Sequence, residues 1–196
     1  MATYDNDLRL KEITTGDEDG TWGVSTNTNL DLIADALGYA TQDGFATDAD
    51  STTTVADGAA DPARAMYLKV TSSATLTTTR TLTIAPNTIS RVMYIENATT
   101  GSQSIAISQG SGANVTIESG VTKIIYLDGA GAGAAVVDAM GNTQFLLDAD
   151  IGVTVQGYSA VLDATTASFT TAEESKLSGI ATGAEVNDPT TVLDAD

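Results

Sequence analysis

Ser104-Ile105-Ala106-Ile107-Ser108 and Asn114-Val115-Thr116-Ile117-Glu118 decide the fold class. In each, apolar and polar side chains alternate with the period of two that a strand imposes, so one face of a sheet is buried and the other solvated. Working outward, five more short runs lie within 65–140: Met66–Val70, Thr81–Ala85, Arg91–Glu96, Thr122–Leu127 and Ala134–Ala139. Turn formers separate them at Asn97-Ala98-Thr99-Thr100-Gly101, Gln109-Gly110-Ser111-Gly112, Ser119-Gly120 and Asp128-Gly129. Asn, Asp and Gly tolerate positive φ there. Seven such runs predict a mainly β fold, a small β-sandwich or barrel over 65–140.

Upstream of this region the pattern changes twice. In 1–40, Gly16-Asp17-Glu18-Asp19-Gly20 is turn chemistry, and Leu30, Ile33, Ala34 and Leu37 recur at i, i+3, i+4 and i+7. This spacing predicts a short N-terminal amphipathic helix, with Asn29 as its N-cap and Gly38 just past its end. A helix this short is marginal alone and needs a surface to cover its stripe. The stretch 41–64, poor in large apolar residues and rich in Asp, Thr and Ala, is expected to be a linker or long surface loop.

The composition of the whole chain narrows its chemistry. Its 196 residues carry 26 acidic against 8 basic side chains, a formal charge of −18. Such a charge disfavours nucleic acid and anionic membrane as partners. With no Cys and no His, thiol nucleophiles, disulfides, Cys/His zinc sites and imidazole bases are excluded. Aromatic residues make up only 5%, and much of the apolar content is Ala, so a large single core is not expected. The charged N-terminus does not resemble a signal peptide, and the chain has no apolar run of membrane-spanning length. Synthesis in the cytoplasm, without export by a signal peptide, is the expectation.

In 141–196, Leu147-Asp148-Ala149-Asp150 recurs as Leu193-Asp194-Ala195-Asp196, a spacing of 46 residues. This suggests a segment of a longer repetitive polymer whose units complete their burial against neighbours or other copies. Gly20-Thr21-Trp22-Gly23 with Thr26-Asn27-Thr28-Asn29-Leu30 and the helix after it resembles the N-terminal segment of many bacteriophage tail-fibre proteins. The stretch from Tyr94-Ile95-Glu96-Asn97 to Ile125-Tyr126-Leu127-Asp128-Gly129 is similar to the small β-domain common in them. Lys176-Leu177-Ser178-Gly179-Ile180-Ala181-Thr182-Gly183-Ala184-Glu185-Val186-Asn187 resembles a shaft repeat of phage fibres, and is the most specific of the three.

What the resemblance implies is a homotrimeric virion fibre: 1–40 attaches to a tail adaptor or portal-proximal tail protein, and a distal part outside this chain meets the host surface receptor. No tip or polysaccharide-cleaving domain is recognisable. A head fibre or capsid decoration protein is the alternative, and a glycan-binding or glycan-cleaving spike ranks below it, because the six Tyr look scattered. Three chains of −18 carry −54 together, a repulsion that favours an elongated body.

Candidate sites each have a plainer reading. Asp48-Ala49-Asp50-Ser51-Thr52 suggests a calcium loop, but Thr53 and Ala59 stand where an EF-hand needs Gly and Glu. Gly129-Ala130-Gly131-Ala132-Gly133 lacks the Lys-Ser/Thr of a phosphate loop. Glu173 and Glu174 follow Thr170 and Thr171 at capping-box spacing, which explains them better than paired catalytic acids. No catalytic residue, cofactor or metal ligand is therefore assigned. Trp22 could anchor in a partner's pocket or plug the base of its own helix. With Leu30, Ile33 and Leu37 it forms the candidate tail-docking surface.

Overall fold

The computed structural model describes residues 2–141, which lie within one compact unit. The repeat, the fibre-shaft resemblance and the Glu173-Glu174 pair fall outside them. Among the described residues the fold is rich in strands, with one α-helix, α1 (Trp22–Ala36), and nine strands in two sheets. These strands are β1 (Tyr39–Phe45), β2 (Ser51–Thr54), β3 (Tyr67–Ser72), β4 (Arg80–Ala85), β5 (Ser90–Asn97), β6 (Ile105–Ser108), β7 (Val115–Ile117), β8 (Thr122–Asp128) and β9 (Val136–Asp138). All seven runs expected from alternation coincide with strands, β3 to β9.

The order of pairing differs from a chain of hairpins. A five-stranded sheet has the order β1-β3-β5-β8-β9, and a four-stranded sheet the order β2-β4-β6-β7. The first six strands alternate between the sheets, so that same-sheet neighbours run parallel: β1 with β3, β3 with β5, β2 with β4, β4 with β6. A parallel pair needs a long return path, and here each return is a strand of the other sheet. Only from β7 onward are the pairings antiparallel.

The expected linker 41–64 is corrected by this topology. It contains most of β1, all of β2 and a 3-10 turn at Pro62–Arg64, and Phe45, Val55, Ala63 and Arg64 in it are buried. Its Asp residues, which suggested solvation, cap the next coil of the fold. Asp43 Oδ1 accepts from the Ser73 amide at 3.1 Å, Asp48 accepts from Thr77 Oγ1 at 2.5 Å and Arg80 Nε at 2.8 Å, and Asp50 accepts from the Thr81 amide at 2.8 Å. Arg80 and the two Thr77 donors hold the Asp48 carboxyl well below the usual carboxylate range. The two carboxylates of the supposed calcium loop are thus engaged by protein donors.

The expectation against a large single core is also corrected. One buried cluster draws on both sheets, including Leu68, Val70, Met93, Ile95, Ile125 and Leu127 from the five-stranded sheet and Leu82, Ile84, Ile105, Ile107, Val115 and Ile117 from the four-stranded one. Large aliphatic residues gather in 65–140, and alternation there aims most of them at the same interior.

Buried polar side chains pin the crossings between sheets. Between β2 and β3, the fully buried Arg64 donates to the carbonyls of Leu8, Ala56 (2.6 Å) and Ala59 (3.0 Å), and pairs with Asp61 at 3.2 Å. Between β5 and β6, the buried Asn97 donates to the carbonyls of Gln103 and Ile117, each at 3.0 Å, and accepts from Thr99 Oγ1 at 2.7 Å. Gly101 in that crossing has φ +104°, and a Cβ there would sit 2.1 Å from the Leu76 carbonyl oxygen, so only glycine fits.

Candidate interaction surface

α1 begins at Trp22 rather than after Asn29, eight residues earlier than the apolar spacing implies. Asn27, Thr28 and Asn29 are weak helix formers, yet two of them make contacts that suit helix. Thr28 Oγ1 donates to the Val24 carbonyl at 3.0 Å, and the Asn29 side chain accepts from the Lys11 amide at 3.0 Å and donates to its carbonyl at 2.8 Å. Asn29 is therefore a mid-helix clamp on the N-terminal segment, not a cap. Lys11 Nζ donates to Ser25 Oγ at 3.0 Å and pairs with Glu18, which raises the Lys11 pKa and lowers that of Glu18.

The inward stripe of α1 is thus Ser25, Asn29, Leu32 and Ala36, of which Leu32 and Ala36 are buried. The stripe expected to be covered lies beside this one, about a quarter turn round the helix. Trp22, Leu30, Ile33 and Leu37, the last at the helix C-cap, are 60%, 59%, 37% and 67% exposed. At about 100° per residue they span roughly a quarter turn, while Asp31 and Asp35 lie well round the helix. The four residues proposed for docking do share one surface. Trp22 does not plug the base of its helix.

Leu37 carries this stripe onto the outer face of the five-stranded sheet. Register places Tyr39 beside Tyr67 and Tyr67 beside Tyr94 on three parallel strands, with ring centroids 5.6 and 6.3 Å apart. Across β8 the row continues to Ile124, and the adjacent row holds Val92, Tyr126 and Val137. Four of the six tyrosines, scattered in sequence, so gather on one face. Leu37, Gly38, Tyr39, Met66, Tyr67, Tyr94 and Glu96 line a groove of about 600 Å³ there.

Polar residues border these rows. Tyr67 Oη donates to Glu96 at 2.9 Å, and Lys69 pairs with Glu96 at 3.1 Å, which lowers the Glu96 pKa and raises that of Lys69. Sequence reasoning missed the tyrosine face, although a signal was present. Met66-Tyr67-Leu68-Lys69, Met93-Tyr94-Ile95-Glu96 and Ile125-Tyr126-Leu127-Asp128 share an apolar-Tyr-apolar-charged pattern. In each, Tyr points outward between two buried residues or beside one.

Among the described residues no helix is long and apolar enough to cross a membrane, and no group of His, Cys, Asp and Glu is placed to hold a metal ion. In comparisons with protein-family models, characterised proteins and solved structures, nothing matched this chain.

Proposed function

We propose that this chain is a non-catalytic structural component of a bacteriophage virion, the proximal part of a homotrimeric tail fibre. In this reading α1 fixes the chain to a tail protein, the two sheets pack face to face as a sandwich, and 141–196 begins a repetitive shaft. Made in the host cytoplasm, the fibre would carry its receptor-binding part at the far end, where several copies gain avidity by engaging at once.

The observation that carries this reading is the stripe of Trp22, Leu30, Ile33 and Leu37, held in water on an ordered helix. Exposed apolar side chains grouped on one face mark interaction sites, and a central Trp is a typical anchor of such a contact. Its exposure also makes the test clean. Trp22→Ala removes little packing within the chain, so its folding stability should change by no more than about 0.5 kcal/mol. Loss of a buried aromatic anchor should instead reduce incorporation into virions about tenfold or more. Counting the chain per purified particle against thermal melting of the isolated protein separates the two. Full incorporation, or loss of folding, overturns the attachment role. Chain found at capsomer centres reassigns the protein to a head fibre.

A further inference from the structure

The tyrosine face is a second apolar surface, distinct from the attachment stripe though continuous with it at Leu37. Apart from Ile13 and Val24, every large apolar side chain exposed among the described residues lies on α1's outer stripe, on this sheet face or at its groove. The face does not follow from making a sheet. The four-stranded sheet of the same fold turns Thr52, Thr54, Thr81, Thr83 and Thr116 away from its buried side. Parallel sheets covered on one side only are rare, and β1, β3 and β5 form such a sheet with aromatic rings on the open side.

Charge selects what covers it. Residues 2–141 carry 17 acidic and 7 basic side chains, a formal charge of −10. The two rows formed by Tyr39, Tyr67, Tyr94 and Ile124 and by Val92, Tyr126 and Val137 contain none of them. In the next row the charges of Lys69 and Glu96 cancel as an ion pair. A basic partner would gain from the acidic surface elsewhere and meets no counter-charge here. A second copy of this acidic chain, by contrast, can approach only where no carboxylate is buried. The same face leaves Tyr39 62% and Val92 54% exposed, an uncharged apolar surface that two acidic chains can share.

We infer that copies of this chain meet through the outer face of the five-stranded sheet, the exposed Tyr39, Val92, Tyr94 and Tyr126 of one packed against the same face of the next. This rests on the proposed fibre's being an assembly of identical chains, and it assigns the surface that joins them. The chain has no Cys, so single-thiol variants of the full protein report on each face. Val92→Cys probes the tyrosine face and Thr116→Cys the threonine face. The measurements are the maleimide labelling rate and the sedimentation mass over a dilution series.

The expected result is a mass of three times 20.0 kDa, with Val92→Cys labelled about tenfold more slowly than Thr116→Cys and the protection tracking the associated fraction. Introducing Tyr94→Lys beside Val92→Cys should restore the faster rate. Equal rates in the associated protein, single chains at every concentration, or a protected thiol in a single chain each overturn the inference. The last would mean that the chain covers its own face. A protein that stays single yet enters virions through Trp22 overturns this interface and leaves the attachment role standing. One that trimerises but ignores Trp22→Ala does the reverse.

Discussion

The two sheets aim the same kind of side chain inward and opposite kinds outward. Ile95 and Ile107 are both fully buried in one cluster, whereas on the outer surfaces Val92, Tyr94 and Tyr126 of one sheet contrast with Thr52, Thr83 and Thr116 of the other. Threonine suits an open β surface, since its branched side chain favours the strand and its hydroxyl keeps water. Tyrosine and valine suit a strand equally well but leave apolar area in solvent. Strand formation therefore permits both choices, and the contact proposed between copies would cover the second. The interior is shared, and the exterior divides into a threonine side and a side of tyrosine and valine.

The strongest way to break this comparison is at the crossings, because each sheet depends on return strands from the other. Arg64→Leu removes the fully buried guanidinium between β2 and β3 and leaves the Asp61 carboxylate and the carbonyls of Leu8, Ala56 and Ala59 without their donor. Breaking one partner of such a buried pair costs about 3–5 kcal/mol, so denaturant titration should show a loss of that size or no folded protein. Truncation inside each sheet is the next largest change. Ile95→Ala and Ile107→Ala should each cost about 2–5 kcal/mol, in one cooperative transition seen alike by circular dichroism and by tyrosine absorbance. Two separate transitions, or a large cost for only one substitution, would mean that the sheets do not share one core.

How much of this was legible in sequence depended on what each residue had to declare. Alternation gave β3 to β9, because Ile105, Ile107, Val115 and Ile117 announce a buried face whatever strand lies beside them. It said nothing about partners, so the parallel pairing of β1, β3 and β5 stayed hidden. β1 and β2 were missed because Tyr39–Phe45 and Ser51–Thr54 contain only two residues of strong core character, and their Asp and Thr look like loop. What holds them is tertiary: Phe45 reaches the core and Asp43, Asp48 and Asp50 bind the following coil. The four residues of the helix stripe were legible as a group, but periodicity cannot say whether a stripe faces its own protein or another. The tyrosine row was concealed by distance, since residues 39, 67 and 94 become neighbours only through register.

The smallest effect tests whether the acidic crossing from β1 to β2 is structural rather than merely solvated. Arg80 and Thr77 stabilise the Asp48 carboxylate in the folded chain and depress its pKa. A group with a depressed folded pKa contributes stability above its unfolded pKa, near 4 for Asp, and loses that contribution as pH falls through the folded value. Asp48→Asn removes the charge at every pH. The variant should therefore melt below the unsubstituted protein at neutral pH, and the two melting curves should converge as the pH is lowered through about 4 and below. Thr116→Val, on the solvated face of the four-stranded sheet at its far strand β7, should shift the melting temperature little and equally at all pH values. A gap for Asp48→Asn that stays constant down the pH scale would show that Asp48 acts through shape alone, and that the acidic crossing holds the sheets together without its charge.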